Sequence, residues 1–225
     1  MRKQLAGAIA AGTVLAGLVP LTAASAATSA GAARAAVHPV LTIGKAGGKA
    51  VKRGDVLTAG LAKGKSVTFF SPGTSNGVTC KSASFTDKVT KNPPSPGPAI
   101  ESLTGQSFGK CRVHGVAGAR SIKSIKVKGL PYRTTVSGRS GHPIVLFKAR
   151  TTLTLNTVLG SLTCTYGAAK VMGTFSNTGQ VNIFKDQTFS LQSGPVACPK
   201  KGNFSATFGP VTDTSVKSHP HVFVN

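Results

Sequence analysis

Short alternations of apolar and polar residues run along most of the chain from about residue 40. Gly, Pro, Asn or Ser interrupts them roughly every eight to twelve positions, the spacing of an antiparallel sandwich or barrel. Residues 67–70 and 151–158 are rich in Thr and β-branched side chains, as strands prefer. In 151–156 the leucines fall on one face, and Thr152, Thr154 and Asn156 on the other. Ile125 and Val127 likewise oppose Lys126 and Lys128, and lysines on an open face also protect a sheet edge from pairing with another chain. No segment carries a useful helical period. The reading is all-β: an antiparallel β-sandwich, Ig-like or similar, built from two tandem or fused β modules and preceded by a signal peptide.

The first residues break this texture. Arg2 and Lys3 precede an apolar run of about fifteen residues, and Ala24-Ser25-Ala26 follows. These are the three parts of a secretory signal, and the run falls short of the roughly 20 residues that span a bilayer. Residues 1–26 are read as a signal peptide and 27–37, Ala/Ser/Gly-rich, as a flexible linker. The mature protein is expected to be secreted, with no transmembrane segment, free outside the cell or held at its wall without covalent attachment.

A faint repeat suggests the modules. Val78-Thr79-Cys80, Gln106-Ser107-Phe108 and Cys111 match Leu162-Thr163-Cys164, Gln187-Thr188-Phe189 and Cys198. Module 1 is placed at 38–132 and module 2 at 133–225. Four cysteines in an exported chain imply two disulfides, with three connectivities open. The repeat favours Cys80–Cys111 and Cys164–Cys198. Spacing argues against metal, since no C-x-x-C or C-x-x-H pair occurs. His219-Pro220-His221 reads as a frayed tail rather than a metal site. Asn92-Pro93-Pro94-Ser95-Pro96-Gly97-Pro98 reads as an exposed connection, because its four prolines donate no ladder bonds.

Charge sharpens the functional question. The chain carries 27 basic and 5 acidic side chains, a net +22. From 110 to 150 there are ten cations and no acid: Lys110, Arg112, Arg120, Lys123, Lys126, Lys128, Arg133, Arg139, Lys148 and Arg150. Such a field attracts anionic partners, although net charge speaks to solubility first. With no Trp and two Tyr, the stacking platforms of sugar or single-strand binders are missing. Any polyanion binding is therefore electrostatic, with no specific nucleic acid and no cofactor.

Catalytic patterns are weak. Asp55, Asp87, Glu101, Asp186 and Asp213 are all the acids, each read as a turn residue or a salt-bridge partner. The G-x-S-x-G elbow is absent. The glycine-rich stretches 44–50 and 60–66 have the wrong spacing for a phosphate loop and read as basic turns. The leading expectation is a monomeric, non-enzymatic protein bound to an anionic cell-wall polymer or other polyanion. Alternatives are an inhibitor or interaction module using loop 92–98, and a hydrolase of acidic polymers with Asp87 or Glu101 as candidate acids.

One resemblance bears on this. Leu41-Thr42-Ile43-Gly44 with Gly47-Gly48, Gly54-Asp55-Val56-Leu57, Gly77-Val78-Thr79-Cys80, Asn92-Pro93 with Pro96-Gly97, and Glu101-Ser102-Leu103-Thr104 begin the pattern. Leu159-Gly160-Ser161 with Cys164, Asn177, Gln187 with Phe189, and Phe204-Ser205-Ala206 with Pro210-Val211 continue it. Over most of 40–213 the chain resembles an uncharacterised secreted protein family of Streptomyces and related actinobacteria. The resemblance implies secretion and an actinobacterial source, and it brings no activity with it.

Overall fold

The computed structural model describes residues 37–225. The expected signal peptide and all but the last linker residue lie outside the described residues. The fold is all-β and antiparallel, with no helix among the described residues. Its first strands are β1 (Leu41–Ile43), β2 (Lys49–Ala50), β3 (Val56–Gly60) and β4 (Val67–Phe70). The long hairpin β5 (Gly77–Lys91) and β6 (Pro98–His114) follows, then β7 (Ala119–Val127) and β8 (Tyr132–Ser137). The second half holds β9 (Pro143–Thr157), β10 (Gly160–Ser176), β11 (Val181–Ser193), β12 (Lys201–Phe208), β13 (Thr212–Asp213) and β14 (Val222–Val224).

The main sheet bends over into a sandwich-like body, and its ladders close on themselves. Around the circuit, β4 pairs with β5, β5 with β6, β6 with β8, and β8 with β9. Then β9 pairs with β10, β10 with β11, β11 with β12, and β12 returns to β4. Closure removes most of the exposed edges that an open sandwich must protect. Two places in the circuit are shared by short strands. β3 and β4 both lie along β5, while β7 and β8 both lie along β9.

Alternation decides which side chains face inward. Phe85 and Val89 on β5, Leu153 and Leu155 on β9, and Phe208 on β12 are buried, while Lys126, Lys128, Lys148 and Arg150 are exposed. This is the reverse of a lipid-facing barrel, whose apolar band points outward. The Phe69 ring lies 5.0 Å from Tyr166 and 5.9 Å from Phe189, edge-on to each. Gly202 makes that cluster fit, because a Cβ there would fall onto the Phe69 ring.

The expected module boundary at 132/133 does not separate two bodies. It falls in β8, whose strand pairs with β6 before it and β9 after it. Residues 36–225 form one compact unit. The repeat has a different meaning: its Thr-Cys strands are β5 and β10 and its Gln-x-Phe strands are β6 and β11. These two hairpins stand opposite one another in the circuit. Both favoured disulfides form, Cys80–Cys111 across β5 and β6, and Cys164–Cys198 from β10 to the segment before β12. Two disulfides fit an oxidising environment.

The C-terminus is not frayed. β14 pairs with β1, which pairs with β2, in a separate three-stranded sheet. Val222 and Val224 are buried. The Asn225 side chain accepts from the Gly47 N–H at 2.6 Å and donates to the Pro39 carbonyl at 2.7 Å. The proline-rich loop 92–98 is tied to the same region. Its Ser95 N–H donates to the His38 carbonyl, and the Ser95 hydroxyl donates to the Asn225 carbonyl. It works as an anchor rather than as a free, presented loop. No helix among the described residues is long and apolar enough to cross a membrane.

Candidate functional site

Two features carry chemistry, one inside the closed sheet and one outside. The inner feature is a cavity of about 100 Å³. Seven of the eleven phenylalanines line it, including Phe85, Phe184, Phe189 and Phe208, together with Tyr166, Ile144 and Leu153. Polar groups gather at one wall. Asp87 stands on β5 in the inward row between Phe85 and Val89, Glu101 on β6 between Ala99 and Leu103, and Thr134 on β8 between Tyr132 and Val136. Glu101 faces Thr134 directly across the β6–β8 ladder. Asp87 pairs with Leu103, two residues along from Glu101, so the carboxyls are diagonal neighbours.

All three residues are buried. Asp87 and Thr134 line the cavity, and no Lys or Arg does. Burial penalises the ionised form and pushes the Asp87 carboxyl from the usual 3.8 up to about 7. Burial, with Asp87's charge second, holds Glu101 well above its ordinary range. Asp87 Oδ1 and Thr134 Oγ1 have no hydrogen-bond partner. The sequence reading of these acids as turn or salt-bridge residues is therefore corrected. They sit on the apolar parity of their strands, where no surface cation reaches.

A second carboxyl pair forms nearer the three-stranded sheet. Asp213 is fully buried and accepts from the Ser215 N–H at 2.9 Å. Burial raises it first, and the neighbouring Asp55 raises it further. Asp55 also closes a turn by accepting from the Lys52 N–H at 2.7 Å, in line with its reading as a turn residue. Asp186 is exposed and accepts from the Ser205 hydroxyl.

Outside, all ten cations of the acid-free stretch are exposed and lie on several elements. Lys110 and Arg112 lie on β6, Arg120, Lys123 and Lys126 on β7, and Arg139 in the β8–β9 turn. The other four converge. Lys128, Arg133, Lys148 and Arg150 line an open cleft of about 540 Å³ with Pro131, Tyr132 and Phe147. The Arg133 guanidinium sits 5.5 Å from the Phe147 ring centre, and Lys170 Nζ lies 6.0 Å from it. Lys170, outside the acid-free stretch, is placed there by its register opposite Phe147.

Tyr132 holds this cleft in shape. Its one O–H lies within donating reach of the Lys128 carbonyl and, at 2.8 Å, of the Arg150 carbonyl, and its oxygen accepts from the Arg150 N–H at 2.8 Å. The backbone of two of the four cations is thus fixed by one buried phenol, whose pKa burial pushes upward. Lys148 has a left-handed backbone with φ of 60°, interrupting β9 beside Phe147. The glycine-rich segments 44–50 and 60–66 each contain a turn, with Gly44, Gly47 and Gly64 at positive φ, beside strand residues Lys49 and Ala50 of β2 and Gly60 of β3. No group of three or more His, Cys, Asp or Glu is arranged to hold a metal among the described residues. No family model matches the chain, and no curated protein or solved structure shows significant similarity to it.

Proposed function

We propose that this is an exported, non-enzymatic binding protein that associates with anionic polymers of the cell envelope or its surroundings. The observation that carries the reading is the cleft of Lys128, Arg133, Lys148 and Arg150 around Phe147, with no acid among its lining residues. Clustered cations beside a weakly hydrated aromatic wall favour phosphate or carboxylate groups spaced along a chain. Arg133 adds a planar fork suited to bidentate contact. Each contact releases counterions, so association weakens steeply with salt. The disulfides and the N-terminal signal-like sequence support export.

A second reading, hydrolysis of an acidic polymer, draws on the proximity of Asp87 and Glu101. Both are buried, Asp87 on a cavity of about 100 Å³, which leaves a polymer no path to them, so the binding reading is preferred.

The test is a salt wash of cells that export the protein. Wild type is expected to stay with the cells at low salt and leave as salt rises. A variant with Lys128, Arg133, Lys148 and Arg150 all changed to Gln is expected in the medium throughout. Wild type already free at low salt would sink the proposal.

A further inference from the structure

Beyond the outer surface, we propose that the closed sheet takes up a small neutral apolar molecule bearing one hydroxyl, its ring or short chain among the inner phenylalanines and its hydroxyl at Asp87 and Thr134. Two observations meet here. The cavity of about 100 Å³ is walled by Phe85, Phe184, Phe189, Phe208, Tyr166 and Ile144. Apolar cavities of about 150 Å³ take up benzene, so a single ring is the upper limit of guest size for this smaller space. Independently, Asp87 Oδ1 and Thr134 Oγ1 are buried and without partners at one wall of the same space. Buried polar atoms are satisfied in nearly every native structure. The two orphans stand on β5 and β8, with β6 between them, and both residues line the same void, so they mark a wall where a guest's polar atom belongs.

The chemistry selects the guest. A cation is disfavoured by the +22 chain it must approach. An anion would lie against the Asp87 carboxyl with no Lys or Arg in the lining. A neutral hydroxyl can donate to Asp87 Oδ1 and can equally accept from the Thr134 hydroxyl, so it suits either orphan.

The second half of β6 pairs with β5, and β7 pairs with β9, but among the described residues no ladder joins β6 to β7. Gln106 and Phe108 on β6 and Ile125 on β7 are half-buried along this seam and line the cavity. Exposed Lys110, Arg112, Lys123 and Lys126 stand on the two seam strands. They keep those unpaired edges from capturing another strand.

The experiment compares phenol with toluene on the full oxidised chain, following the side-chain NMR signals of Phe208, Tyr166 and Ile144. A purely apolar hole prefers toluene, because phenol gives up more hydration. Wild type is expected to bind phenol at least as tightly as toluene. Thr134→Val, close in shape, is expected to weaken phenol about tenfold and leave toluene within about twofold, as for a site that loses one hydrogen-bond partner. Asp87→Asn keeps an acceptor oxygen and is expected to retain phenol within a few-fold, with thermal melts confirming that both variants fold. Binding of neither compound, as for a site holding water only, would overturn the proposal. So would a wild-type preference for toluene, or a Thr134→Val effect equal on both. The readout is insensitive to salt, so its failure is separable from failure of the polyanion proposal.

Discussion

Replacing Asp87 with Asn is expected to reverse part of the protein's pH response. The folded carboxyl protonates near 7 against the usual 3.8, because burial disfavours its charge. A group raised on folding binds more protons in the native state at every pH between those two values. Stability therefore falls as pH rises through that window, and the loss is complete above the folded value. At 1.36 kcal/mol per unit over about 3 pH units, Asp87 alone accounts for about 4 kcal/mol. Glu101 is raised by burial and by Asp87, so it adds a loss of the same sign. For a domain of this size that corresponds to a fall in Tm of roughly 10 °C between pH 4 and pH 8. The comparison of variant with wild type isolates the carboxyl. Urea unfolding of the oxidised protein from pH 4 to pH 8 is the assay. Asp87→Asn is expected to match wild type near pH 4 and to exceed it by up to about 4 kcal/mol at pH 8. Parallel curves for the two proteins, or a wild type that gains stability toward pH 8 as much as the variant does, would refute the buried-pair argument.

Three other perturbations separate the parts of the fold. Replacing Cys164 and Cys198 with Ala opens a loop 34 residues long, and the urea midpoint is expected to drop by about 3–4 kcal/mol of stability on the chain-entropy account. Deleting 222–225 removes β14 with two buried valines and is expected to cost at least about 3 kcal/mol, read as lost hydrogen-exchange protection over Leu41–Ile43. Tyr132→Phe leaves the Lys128 carbonyl and the Arg150 backbone without their shared hydroxyl. It is expected to cost about 1–3 kcal/mol and to weaken polyanion binding while the circular dichroism spectrum stays β-type.

Strand identity was legible because period two marks each strand without reference to its neighbours. Residues 67–70 form β4, and Leu153 and Leu155 turn inward as their alternation required. Closure was not legible, because it depends on which long strands meet, and β5 pairs with strands on both of its sides. The repeat pointed to two modules because matching hairpins look alike whether they build two sheets or opposite walls of one. The cationic stretch was visible as composition, but its convergence on Phe147 needed the β8–β9 and β9–β10 registers. A signal for the acid pair was present and was passed over. Phe85-x-Asp87-x-Val89 and Ala99-x-Glu101-x-Leu103 place acids on the apolar parity of a strand, where alternation predicts burial. Asp213, in a two-residue strand, offered no such pattern. The C-terminal residues looked frayed from position alone, whereas Val222 and Val224 already alternated with Phe223.

The central functional claim is that anionic chains are held at one cleft on an otherwise dispersed cationic surface. The most direct measurement is a residue-resolved NMR titration of the oxidised protein with a short polyphosphate at low and raised salt. The account predicts shifts concentrated at Lys128, Arg133, Phe147, Lys148, Arg150 and Lys170, fading as salt screens them. Equal shifts at distant exposed lysines such as Lys49, Lys185 and Lys217, or no shift at low salt, would contradict it.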